Sequence, residues 1–177
     1  EGNFNKDSTR VCENNEFRVV NIYDIDVGVK NYFNPEVTYG TLQDDRDGRV
    51  YKTVTVNGMT VMAENLNYSD EKRNVYLANN NWCHNFDTTN CLKGGRYYTW
   101  TAALDIDSKW FDGTVPEGTI KTPHRGICPE GWHVPSRAEW ESLLTLGENA
   151  LIASGIKNWP YATNSSGFSA IPTGFCY

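Results

Sequence analysis

The feature that most restricts the fold is a β pattern on both sides of one dipeptide. Val50-Tyr51-Lys52-Thr53-Val54-Thr55-Val56 alternates and is rich in β-branched residues, Asn57-Gly58 follows, and Met59-Thr60-Val61-Met62 returns. Asn and Gly tolerate the positive φ that both central positions of a type I′ turn require, so residues 50–63 predict a β-hairpin. Just upstream, Asp44-Asp45-Arg46-Asp47-Gly48 predicts a second tight turn. Its composition is that of half a calcium loop. The spacing fails, because Gln43 stands where the first Asp of an EF-hand belongs and no Glu closes the loop.

The clearest helix begins at Ser136. In Ser136-Arg137-Ala138-Glu139 the Ser oxygen can take the N3 amide and the Glu can return to the cap amide, which is a capping box. Trp140, Leu143 and Leu144 then fall at i, i+3 and i+4 and predict an apolar face, with Gly147 ending the helix. Residues 148–155 predict a further helical turn. Residues 96–104 read as a strand end entering a short helix, and Gly167-Phe168-Ser169-Ala170-Ile171-Pro172 as a strand or extended segment. Phe17 to Tyr23 is a short β-rich run behind a polar start, broken by Asp24, Asp26 and Gly28, which read as a solvated turn. Between these elements lie two long loops, 68–95 and 105–127, and loops of such length are often functional.

Five cysteines (Cys12, Cys83, Cys91, Cys128 and Cys176) are spread along the chain, none of them in a CxxC pair. That spread fits disulfides in an oxidising compartment better than a zinc or redox motif, and the odd count leaves one thiol over. Cys83 and Cys91 enclose a short polar loop and are expected to bond to each other. Aromatic residues make up 13% of the 177, too many for a disordered chain. The net charge is −6 without a basic stripe, which argues against nucleic acid and anionic membranes. No apolar run reaches the length of a transmembrane segment.

Catalytic signatures are missing. There is no GxSxG, HExxH or phosphate-binding glycine loop, and Gly94-Gly95 reads as a turning point. His84 beside Cys83 matches no zinc spacing, and His133, between Trp132 and the capped helix, reads as a structural side chain. No cofactor and no metal is expected.

Several blocks together carry a resemblance. They are Gly40-Thr41-Leu42 with Asp45 to Val54, Met62 to Tyr68, Cys83 and Cys91 followed by Gly95-Arg96-Tyr97-Tyr98-Thr99-Trp100, Gly126 to Ser136 with Glu139-Trp140, and Gly167 to Gly174. In this order they resemble the Fibrobacter succinogenes major paralogous domain over residues 40–177, with residues 1–39 as an N-terminal extension. The resemblance implies an α+β, C-type-lectin-like fold: a small twisted antiparallel sheet, two helices and long loops. It also implies bacterial export, often as a lipoprotein or surface protein, and no established enzymatic activity. Members usually carry Trp where Val61 stands, and they continue past the last block to a terminal strand bearing a Cys. The domain is therefore expected to be incomplete at its C-terminus. The resemblance implies that Cys128 pairs with the Cys of that strand. Its absence leaves Cys12 with Cys176 as the favoured pair and Cys128 with no partner in this chain.

These readings describe a non-enzymatic secreted or cell-surface binding module, an adhesin contacting glycans or surface proteins. Trp82, Trp110 and Trp159 are the candidate contact residues, against the alternative that they cap the core. The competing class is a structural subunit of an extracellular fibre or multi-chain assembly, joined through a sheet edge that missing strands would expose.

Overall fold

The structure is a computed structural model that describes residues 9–13, 16–20, 32–112, 114–156 and 159–173. It is α+β. Strands β1 (Thr9–Glu13) and β2 (Glu16–Val20) form an antiparallel ribbon. The β-rich run from Phe17 thus overlaps β2, and a partner strand, β1, precedes it. Residues 21–23 and the acidic turn lie outside the described residues.

The central sheet has three antiparallel strands in the order β3-β4-β5: β3 (Gly40–Asp44), β4 (Arg49–Val56) and β5 (Met59–Met62). The hairpin forms where it is expected, with φ of 49° at Asn57 and 77° at Gly58 and Val56 opposite Met59. In β4, Tyr51, Thr53, Val54 and Val56 are buried while Thr55 is exposed. Val54 and Val56 pack with Ala63, Leu143 and Leu151, so the sheet shares one core with α3 (Arg137–Leu144) and α4 (Glu148–Leu151).

Helix α3 starts with the full capping box. Its apolar face is narrower than the sequence pattern implies. Leu143 is 1% exposed, but Trp140 is 43% and Leu144 60% exposed, because the sheet covers only one residue of the trio. The helix stops at Leu144, and Gly147, at φ 81°, precedes α4 instead. Ser136 Oγ and the Ser136 amide donate to one Glu139 oxygen, each at 2.7 Å, and His133 Nε2 lies 2.8 Å from the other. These bonds, led by the Ser136 hydroxyl, hold the Glu139 carboxyl down to about 2 from its usual 4.5. A lowered folded value stabilises the fold above the usual value, and the contribution is lost as pH falls from about 4.5 to about 2. Glu139→Gln should flatten that acid limb in melting curves recorded against pH. An unchanged limb would contradict the cap's role.

Two further corrections concern the loops. Residues 68–95 are not all loop, because α1 (Thr88–Gly94) forms there, capped by Asp87, which accepts from the Thr89 amide at 2.9 Å. Residues 167–172 are not a strand. Ala170 makes a single parallel bridge to Ile152, and positive φ at Gly167 and Ser169 breaks any ladder. Asn164, fully buried, holds this segment instead: its Nδ2 donates to Tyr32 O at 3.0 Å, and its Oδ1 accepts from the Ser169 amide at 3.0 Å. Residues 96–104 follow expectation, with β7 (Tyr97–Tyr98) running into α2 (Trp100–Ala103). No helix among the described residues is long and apolar enough to cross a membrane.

Candidate functional site

A second antiparallel ribbon, β6 (Asn81–Trp82) with β7, places Trp82 opposite Tyr97. The chain between the two strands is closed by the Cys83–Cys91 disulfide, with Cα atoms 5.1 Å apart. Cys91 sits in α1, so the bond fastens that helix to the end of β6. Its closed loop is short, and opening it should cost about 2–3 kcal/mol through unfolded-state entropy. Cys83→Ser with Cys91→Ser should therefore lower Tm by roughly 5–10 °C in a calorimetric scan. An unchanged melt would remove the disulfide from the account.

After α1 the chain turns at Gly95 and binds the segment that leaves the central sheet. Asn65 Nδ2 donates to Gly94 O at 2.9 Å, the Arg96 amide to Leu66 O at 3.0 Å, and Tyr98 OH to Tyr68 O at 2.8 Å. Two cavities open on either side of this junction. One, of about 330 Å³, is lined by His84, Arg96, Tyr97, Cys128 and Thr173 among others. The other, of about 270 Å³, is lined by Tyr51, Glu64, Asn67 and Lys93 among others. Asn65 and Gly95 belong to both walls and separate the cavities.

Unpaired polar atoms concentrate here. Among the described residues the buried side-chain nitrogens and oxygens without a hydrogen-bond partner are Asn67 Oδ1, Trp82 Nε1 and Arg96 Nε. Trp82 lies in β6, Arg96 just before β7 and Asn67 on the segment that leaves the central sheet, and Asn67 and Arg96 each line one cavity. Native folds pair nearly all such atoms, so these three mark the junction as the least satisfied polar region among the described residues. Among the described residues the Arg96 side chain donates to Asn81 Oδ1, at 2.8 Å through Nη1, and forms no ion pair with a carboxylate.

His84 Nδ1 lies 3.3 Å from Tyr97 OH, which also bonds Thr173 O. Burial pushes the His84 imidazole down and the Cys128 thiol up from their ordinary values. Both shifts favour neutral groups, the opposite of the pair that makes a thiolate nucleophile. Cys128 has no disulfide partner among the described residues. Cys176 lies outside them, and with it the favoured Cys12–Cys176 bond. Among the described residues no group of three or more His, Cys, Asp or Glu side chains is placed to hold a metal.

The predicted contact residues are not brought together. Trp82 is half-buried, its ring 6.3 Å from that of Tyr97, and borders the site. Trp159 packs on the cluster of Tyr32, Ala153 and Ile156. Trp110 is half-buried on a 3-10 turn, with Lys109 Nζ 5.1 Å from its ring centre. The more exposed tryptophans are Trp100 and Trp140, the second of which the sequence pattern places on an apolar helix face.

Residues 54–177 match the family model described as the Fibrobacter succinogenes major domain. No curated protein and no solved structure matches the chain.

Proposed function

Because the chain belongs to the Fibrobacter succinogenes major domain family, we propose that it is an exported, non-enzymatic binding module of a bacterial surface, with its ligand contact at the two cavities beside the β6–β7 ribbon. The observation that carries this reading is the pair of cavities walled by polar side chains, His84 and Arg96 on one and Glu64, Asn67 and Lys93 on the other. A ligand that supplies both donors and acceptors would complement these walls, and glycans do so. The disulfide supports an oxidising compartment. The small antiparallel sheet, short helices and long connections are in keeping with a C-type-lectin-like architecture, which forms part of the proposal.

A glycan array and a polysaccharide pull-down with the protein secreted from its bacterial host test the reading. Retention of the native protein on carbohydrate is expected. Retention of no glycan at all, with capture of a surface protein in its place, would turn the module into a protein-contact domain. Light scattering should give a monomer. A large species would favour the assembly alternative.

A further inference from the structure

We propose that a third cavity, walled by Arg46, Arg73, Lys121 and Arg125, binds one oxyanionic group of a small hydroxyl-bearing ligand, a carboxylate or a sulfate ester. This cavity shares Ile127 with the first one and no wall residue with the second. A ligand here is therefore independent of the contact proposed above.

The cavity holds about 390 Å³, within the range of small-molecule sites. It forms where two long connections meet. Asn74 of the first donates from Nδ2 to Asp105 Oδ1 of the second at 2.7 Å. The stretch from Lys121 to Ile127 is pinned at several points. The Lys121 amide donates to His124 Nδ1 at 3.2 Å, and His124 Nε2 lies 2.8 Å from Leu104 O. The Val134 amide donates to His124 O at 2.8 Å and the Ile127 amide to Ala103 O at 3.1 Å. Gly126, at φ 55°, passes so close to Ala103 that a Cβ would stand 2.3 Å from its backbone oxygen. Lys121 and Arg125 are thus carried on a fixed wall.

The decisive feature is charge. The chain has 16 basic and 22 acidic side chains and a net charge of −6. Four of the basic ones line this cavity against a single acid, Asp105. A cleft lined by one sign of charge focuses the field and concentrates the opposite ion. Arg46 is engaged by Asp44 and Ile127 O, and Arg73 Nε lies 3.4 Å from Asp70 Oδ2. These two supply field: burial raises the Tyr68 hydroxyl, and both their charges oppose the rise. Lys121 and Arg125 are exposed and form no ion pair with a carboxylate among the described residues. Arg125 gives its Nε to Cys128 O at 3.0 Å, which leaves its two terminal nitrogens to grip an acid group side by side. Asp105 sets the second requirement. Its Oδ1 is taken by Asn74, and an exposed carboxylate accepts hydroxyl donors and repels a second anion. A bare anion meets only the cations, while a sugar with one acid group meets both.

The test is isothermal titration of the full chain with glucose, glucuronate, glucose 6-sulfate and inorganic sulfate. The two acidic hexoses should bind at least about tenfold tighter than glucose, and the advantage should shrink as salt rises. Whichever of the two binds tighter identifies the acid group, and either order upholds the inference. Lys121→Met and Arg125→Met should each weaken the acidic hexoses roughly three- to tenfold and leave glucose alone. Lys109→Met removes the same charge beside Asp107, off this wall, and should change nothing. If Arg125→Met does not fold, Lys121→Met decides, because the Lys121 side chain is exposed and holds no carboxylate of the described fold. No binding, or equal binding of glucose and the acidic hexoses, would overturn the inference. So would inorganic sulfate that binds as tightly as glucose 6-sulfate, since the hydroxyls would then add nothing. Glucuronate that shifts the amides of residues 94–98 and leaves 121–126 silent would overturn it too, and would leave the contact at the other two cavities standing.

Discussion

Gly95→Ala is expected to cost about 4 kcal/mol and to abolish ligand binding in whatever fraction still folds. Gly95 has φ 77° and ψ −167°, a region essentially reserved for glycine. That conformation turns the chain out of α1 so that Arg96 can bond Leu66. A side chain meets a second obstacle there. A Cβ at Gly95 would stand 2.4 Å from the Asn65 Cβ and 3.0 Å from its backbone oxygen. Backbone and a Cβ cannot swing aside, so the junction would have to open and the wall between the cavities would move. A Tm drop of roughly 8–16 °C should follow in calorimetry. Gly118→Ala is the control: its φ is 79°, but nothing lies within 4 Å of the added Cβ, so only the backbone term remains. Equal losses at both sites would mean that the close approach to Asn65 contributes nothing.

Arg46→Ala should be the next most damaging change, at about 3 kcal/mol and roughly 6–12 °C in Tm. Asp44 is fully buried at the end of β3 and receives Arg46 Nε at 2.8 Å and Nη2 at 2.6 Å. Burial raises the Asp44 carboxyl, but the Arg46 hydrogen bonds and charge outweigh burial and leave it below its ordinary value. The same guanidinium donates to Ile127 O at 2.8 Å and lies 3.8 Å above the Tyr68 ring. Removing it strands a buried carboxylate and unties the residue 127 segment from the turn. Arg46→Lys should recover little, because an ammonium cannot bridge both carboxylate oxygens and reach Ile127 in the same plane. Asp44→Asn with Arg46→Met should be milder than Arg46→Ala alone, since no charge is then left unpaired. Full rescue by Arg46→Lys would show that charge suffices without the fork.

The elements visible in the sequence are those whose cause is local. Asn57-Gly58 carries its own turn chemistry, and Ser136 with Glu139 forms a cap within four residues. Helix α1 escaped notice because Thr88-Thr89-Asn90 are weak helix formers. It is held by Asp87 at its start and by the Cys83–Cys91 bond, and only the second was anticipated. The segment after Gly167 has strand-like residues, yet the distant contact of Asn164 with Tyr32 decides its path. The same limit applies to the site. Cys83 and Cys91 can be paired by their spacing, but Trp82 and Trp110 stand out by loop position and Trp159 by its polar stretch, neither of which reports burial. The cavities bring Asn65, Gly95, Cys128 and Thr173 together from four parts of the chain. An unpaired Nε on Arg96 becomes visible only when every neighbour is placed.

The proposed location of the ligand contact is tested most directly by backbone amide shifts of the isotope-labelled full chain, titrated with the glycan that the array retains most strongly. The account predicts that the largest shifts fall on residues 65–68 and 94–98, on both sides of the Asn65–Gly95 divide. Shifts centred instead on the exposed Trp140 and Leu144 of α3, with residues 65–68 and 94–98 silent, would contradict it.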